Sequence, residues 1–138
     1  IIPTMGFREE GVSYHYVDAS ETIDMNPKYV DDFIDILNEY NFSYTKGYTW
    51  TTDAFYRETR EKINYFKEKN VLCVEMEGTT IAAVCKYLDV DYFTFYYAGD
   101  NLDSTIWDKR SLDGLEKIDK KKEVTLLAFE LGVKISEK

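Results

Sequence analysis

The stretch VLCVEMEGTTIAAVCKYL, residues 71–88, narrows the fold more than any other part of the chain. Its first four residues, VLCV, form an apolar run with the length of a short buried strand. Further on, Ile81, Val84, Cys85 and Leu88 recur at helical spacing and predict a helix with one apolar face. A strand that hands over directly to a helix is the repeating step of an α/β sheet. At the handover two acids, Glu75 and Glu77, flank Met76. One carboxylate there could cap the helix. Two, with a thioether between them, suit a polar ligand that also has an apolar part.

The rest of the chain continues the alternation. SYHYV (residues 13–17) alternates polar and apolar residues and predicts a strand. Asn26-Pro27 supplies an N-cap and a first helical residue, and Val30, Phe33, Ile34 and Leu37 give the following helix its apolar face. FSYTKGYTWTT (42–52) is rich in Thr and aromatics, as strands are, and REKINYFKEK (60–69) is charged and helix-compatible. DYFTFYYA (91–98) predicts a further strand, and KKEVTLLAFEL (121–131) a final helix burying Val124, Leu127 and Leu131. The expected class is α/β with parallel pairing, without repeats, low-complexity segments or internal linkers.

Composition excludes several functions. The 138 residues fit one domain, and 44% hydrophobic with 16% aromatic residues suffices for a core. The net charge is −9 and the pI about 4.6. The one basic run, Lys120-Lys121-Lys122, reads as a solvated face, so binding to the phosphate backbone of nucleic acid is not expected. No apolar run has the length of a membrane span, and no signal peptide is visible. A chain that opens on Ile1 suggests a cleaved or truncated product, or one piece of a longer protein. Cys73 and Cys85 lie in apolar contexts and are expected as buried thiols of a reducing cytoplasm. His15 is the only histidine and no zinc spacing occurs, so no metal site is expected.

Ligands of open α/β sheets bind beyond the carboxyl ends of strands. TTDAFY (51–56), EMEG (75–78) and AGDN (98–101) each follow a predicted strand. If those strands are neighbours, the segments bring an aromatic ring, paired carboxylates and an isolated aspartate to one edge, a set that suits a sugar carrying a flat base. Phe55 can stack on the base. A carboxylate of the Glu75/Glu77 pair can accept hydrogen bonds from a cis-diol. Asp100, if partly buried, would have a raised pKa and could protonate a leaving group. Each residue also has a plain structural reading: Phe55 as core, Glu77 at the helix N-terminus, Asp100 in a turn. Tyr56, Trp50 and Trp107 read as packing residues.

In this order, TTDAFY, VLCVEMEGTTIAAVCKYLDV and YYAGDN resemble the motifs of the purine nucleoside phosphorylase and uridine phosphorylase superfamily. FREEGVSYHYV (7–17) resembles the stretch that precedes them in the uridine phosphorylase-like branch. The resemblance implies a three-layer α/β fold with a mixed sheet flanked by helices, present here as the C-terminal portion of a single domain spanning residues 1–138. It implies cleavage of a nucleoside's N-glycosidic bond by phosphate, with phosphate as co-substrate and no cofactor. Phe55, beside Tyr56, would stack on the base and Met76 would pack on the ribose. Glu77 would bind the 2′- and 3′-hydroxyls, Glu75 would line the pocket, and Asp100 would protonate a purine at N7. Arg110 is the nearest candidate to set that acid's state. A cytoplasmic homo-oligomer is implied, and the aromatics Tyr14, Tyr16, Trp50 and Tyr56 agree with an interface.

The sequence departs from the family at three places. Gly99 precedes the acid where the purine branch has serine, and RETRE (57–61) lacks the glutamine that reads uracil. Asp100 therefore tilts the substrate towards purine nucleosides. The family's amino-terminal half, with its glycine-containing phosphate loop, has no counterpart, and Arg8, Arg57, Arg60 and Arg110 form no phosphate-like cluster. A missing N-terminal half is the expected partner. The rival readings are a nucleosidase of the same superfamily, which uses water, and an inactive fragment or binding module.

Overall fold

The computed structural model describes residues 1–103, 106, 108, 110 and 117–138; Trp107, read above as a packing residue, lies outside them. The chain forms two compact units, Ile1–Lys28 with Thr45–Tyr96, and Tyr29–Tyr44 with Tyr97–Lys138.

The first unit is built on four strands, β1 (Ile2–Glu9), β2 (Thr22–Asp24), β3 (Lys46–Thr52) and β4 (Val71–Glu75), in the order β2-β1-β3-β4. The β1–β3 and β3–β4 pairs are parallel; β2 runs antiparallel to β1. The sheet is therefore mixed, and its parallel part follows the expected alternation with helices. Two helices of this unit, α2 (Arg60–Glu68) and α3 (Gly78–Leu88), fall on the predicted segments.

Alternation along the strands sends side chains to opposite faces. On one face Phe7 and Trp50 pack with Phe66 of α2, and the Trp50 and Phe66 rings stack at 4.3 Å between centroids. On the other face Ile23 and Met25 pack with Ala82 and Ala83 of α3. Helix, sheet and helix make three layers in this unit. Trp50 is 2% exposed, so it belongs to the core and is withdrawn from the aromatics of a possible interface. Tyr14, Tyr16 and Tyr56 are exposed.

The buried side of α3 differs from the expected one. Ile81 and Leu88 are exposed, while Thr79, Ala82 and Ala83 are buried. The reason is close approach: a Cβ at Gly6 of β1 would sit 2.5 Å from the Thr79 methyl. The helix lies so near the sheet that alanines line its inner face, and the branched Thr79 fits there only because Gly6 opposite has no side chain. Cys73 and Cys85 are half-buried, not buried. Burial pushes the Cys73 thiol up in pKa.

Three local expectations fail for identifiable reasons. Residues 13–15 form a 3-10 turn, not a strand, because Glu10 draws in the amides of Val12 and Ser13. Asn26 does not cap a helix. It adopts a left-handed φ of 51°, and its side chain donates to the Pro3 and Thr94 carbonyls and accepts from the Thr94 amide. Residues 91–98 are not a ladder strand. Their pairing runs through that Asn26 side chain and a single exchange of bonds between Tyr96 and Ile1.

In the second unit α1 (Val30–Glu39) packs on α4 (Ile118–Ser136). Phe33, Ile36 and Leu37 are buried from α1, and Leu127 and Leu131 from α4 as expected, with Val124 half-buried. Lys134 pairs with Asp35 at 3.2 Å and Lys138 with Asp32 at 2.7 Å. Among the described residues no helix is long and apolar enough to cross a membrane, and no cluster of His, Cys, Asp and Glu is placed to hold a metal.

Candidate functional site

The carboxyl ends of β3 and β4 carry five of the six predicted site residues. β3 ends at Thr52 and leads through Asp53 into a short 3-10 turn, Phe55–Arg57. Phe55 is half-exposed and Tyr56 is 85% exposed, their ring centroids 3.8 Å apart. The core reading of Phe55 is thus excluded: it offers a face beyond the sheet edge, with Tyr56 against it. The Asp53 carboxylate accepts from the Gly11 amide at 3.1 Å and ties this turn to the loop after β1.

β4 ends at Glu75, and the structure divides the two acids sharply. Each oxygen of Glu75 is occupied twice. Oε1 accepts from the hydroxyls of Thr49 (3.2 Å) and Thr51, and Oε2 from the amides of Glu77 (2.8 Å) and Gly78 (2.5 Å). Thr51 Oγ1 accepts in turn from the Thr79 amide at 3.0 Å. Helix starts leave amides without intrahelical partners, and three consecutive ones are satisfied here by Glu75 and Thr51. Glu75 is therefore the helix cap, with no acceptor capacity left for a ligand. Expected as a pocket-lining residue, Glu75 instead spends its carboxylate on protein donors and holds the turn that carries Met76 and Glu77.

Glu77 occupies the N-cap position, but its side chain makes no capping bond. It is exposed, and among the described residues its carboxylate has no hydrogen-bond partner. Met76 beside it is 40% exposed. The pair is a bare acceptor at a helix N-terminus, which favours negative charge, next to an apolar thioether. Behind it, Gly78 is required by space: a Cβ there would lie 2.3 Å from the Tyr96 hydroxyl and 2.8 Å from Glu75 Oε1. That hydroxyl is buried without a partner among the described residues. Burial first, and then the Glu75 charge, push its pKa far up, so it stays neutral.

Asp100 belongs to the second unit, where it is half-buried. Arg110, in the same unit, is exposed and pairs with Asp108 at 3.2 Å.

Sequence reasoning missed the residues that brace this edge. Glu10, just past β1, is 6% exposed. Its Oε1 accepts from the Ser13 and Thr79 hydroxyls, and its Oε2 from the Val12 and Ser13 amides and the Thr80 hydroxyl. Burial alone would raise its pKa, but the bonds from Ser13, Thr80 and Thr79 outweigh it and hold the carboxyl below its ordinary value. Arg8, also buried, donates from Nε to Ser13 Oγ at 2.8 Å and from Nη1 to the Asp18 carbonyl and Ser20 Oγ. One signal was available: Thr49 and Thr51 alternate on one face of a strand, and buried hydroxyls need polar partners.

Residues 1–134 match the phosphorylase superfamily, and the chain belongs to that family. Its members process nucleosides, phosphorylases and nucleosidases among them. Among solved structures the chain is similar to a P. knowlesi homolog of P. falciparum PNP, with a TM-score of 0.69, 15% identity, 99% of this chain and 53% of that chain covered. It is also similar to the AMP nucleosidase from Bacteroides thetaiotaomicron VPI-5482, with a TM-score of 0.57 and 18% identity over 64% of this chain and 39% of that one. At these identities the likeness bears on the fold. The chain spans about half the length of the first of these structures and less of the second.

Proposed function

We propose that this protein is a nucleoside phosphorylase: it cleaves the N-glycosidic bond of a purine nucleoside with phosphate, giving free base and ribose 1-phosphate. The observation that carries the reading is the division of labour at the end of β4. Glu75 is consumed as a cap, while the Glu77 carboxylate, beside exposed Met76, has no hydrogen-bond partner among the described residues. A half-buried cap accounts for Glu75, whereas an exposed acid two residues on suits a ligand that offers two hydroxyl donors. In this reading Glu77 accepts from the ribose 2′- and 3′-hydroxyls, and Met76 packs on the sugar. Phe55 stacks on the base, with Tyr56 supporting its ring.

As the bond breaks, the ribose becomes oxocarbenium-like and the base leaves with negative charge. Asp100 is assigned the proton that neutralises N7, a service worth about 10²–10⁴ in rate. Phosphate then captures the sugar carbon. Its binding groups are assigned to a polypeptide portion outside residues 1–138, of which this chain would be the C-terminal part within a single domain. The assembly is proposed as a homo-oligomer.

Phosphate dependence is the test. The native preparation, given a purine nucleoside, should release base only with phosphate present and form ribose 1-phosphate. Equal rates in phosphate-free buffer with free ribose as product would replace phosphorolysis by hydrolysis. Intact mass of the same preparation reports whether a further chain portion accompanies this one.

A further inference from the structure

Resting on the reading of Glu77 as the diol-binding group, we infer that Glu10 is its positioning residue. It fixes the first turn of α3 from the β1 side while Glu75 fixes it from the β4 side. Three consecutive amides of this turn, at 77, 78 and 79, go to Glu75 and Thr51. The two hydroxyls that follow, on Thr79 and Thr80, go to Glu10 at 3.1 and 2.9 Å. The Glu77 side chain contributes nothing to its own placement. Where its carboxylate points is set by backbone held from two strands that are not neighbours in the sheet.

Glu10 is itself held rigidly. Ser13 relays it to Arg8, and Arg8 gathers the loop through the Asp18 carbonyl and Ser20. If the only task were to seat α3 on the sheet, an apolar side chain would serve as well, since buried charges are often replaceable without loss of stability. A fully bonded carboxylate supplies something else: one defined geometry. A diol must meet both carboxylate oxygens, and small misplacements of a binding group weaken such recognition steeply.

Glu10→Gln keeps the shape, but with its oxygen on the Val12 and Ser13 amides its nitrogen faces the Ser13 and Thr79 hydroxyls, which must turn from donating to accepting although Ser13 Oγ already accepts from Arg8. Hydrogen exchange at residues 76–80 should quicken about tenfold, the scale of one lost bond to a charged group, with α2 unchanged. The KM for a ribonucleoside should rise about tenfold with kcat altered less, and the rise should shrink for the 2′-deoxynucleoside, which engages Glu77 through one hydroxyl fewer. Thr80→Val removes a single hydroxyl and serves where Glu10→Gln does not fold; Thr80→Ser should restore wild-type values. Unchanged exchange at 76–80 in a folded variant overturns the positioning role. Faster exchange with an unchanged ribonucleoside KM overturns the link to Glu77. A wild-type protein that neither binds nor cleaves nucleosides refutes the proposed function instead, and the exchange readout still decides whether Glu10 fixes this turn.

Discussion

Replacing Glu75 by Gln probes the construction of the site without changing its volume. The wild-type carboxylate receives two hydroxyls on one oxygen and two amides on the other. A glutamine satisfies the amides if its oxygen faces Glu77 and Gly78. Its nitrogen then meets Thr49 and Thr51, whose hydroxyls must rotate from donating to accepting. Thr51 Oγ1 already accepts from the Thr79 amide, so it is the crowded partner. The amide bonds lose their charge assistance, about 1 kcal/mol together, and the α3 N-terminus loses a negative charge worth about 0.3–1 kcal/mol. With the hydroxyl rearrangement the total is about 2 kcal/mol, all of it at one helix start. Urea denaturation followed by circular dichroism should show a lower midpoint with an unchanged slope. Glu75→Ala should cost about 3–5 kcal/mol, because it strands two amides as well. A Glu75→Gln protein as stable as wild type would refute the assignment of Glu75 as the cap of α3.

Other consequences are equally direct. Glu77→Gln should leave stability within about 0.5 kcal/mol, since the exposed carboxylate has no hydrogen-bond partner among the described residues, yet raise the ribonucleoside KM about tenfold or more in steady-state assays. Gly78→Ala should destabilise by about 1–3 kcal/mol in thermal unfolding, because the methyl lands on the Tyr96 hydroxyl and on Glu75. Glu10 has a folded pKa below its ordinary value, so its contribution is fully present above the unfolded pKa and is lost as pH falls through the folded one. Denaturation midpoints measured from neutral pH down through the carboxylate range should fall on the acid side, and Glu10→Gln should flatten that decline.

Much of the secondary structure was legible because it is local. The spacing of Leu127 and Leu131 marks the inner face of α4, and the charged run at 60–69 marks α2. The strand-to-helix handover at 71–88 marks the edge where Phe55, Met76 and Glu77 are exposed. β1 was not legible: it is covered on both faces, carries Pro3 and Gly6, and so shows no alternation. The buried side of α3 was misjudged because its small residues are chosen by the gap to Gly6, a distance no periodicity encodes.

The sequence by itself determined which residue types follow which strand, and therefore that an aromatic pair and an acid-Met-acid run close two successive β-elements. It also determined the family, through motifs in a fixed order. Only the tertiary structure decided which acid is spent and which is spare. Glu75 is drawn inward by threonines 24 and 26 residues away, and Glu10 reaches Thr79 and Thr80 across 69 and 70 residues. A carboxylate's role depends on the donors that surround it, and donors brought together by folding leave no trace in local spacing.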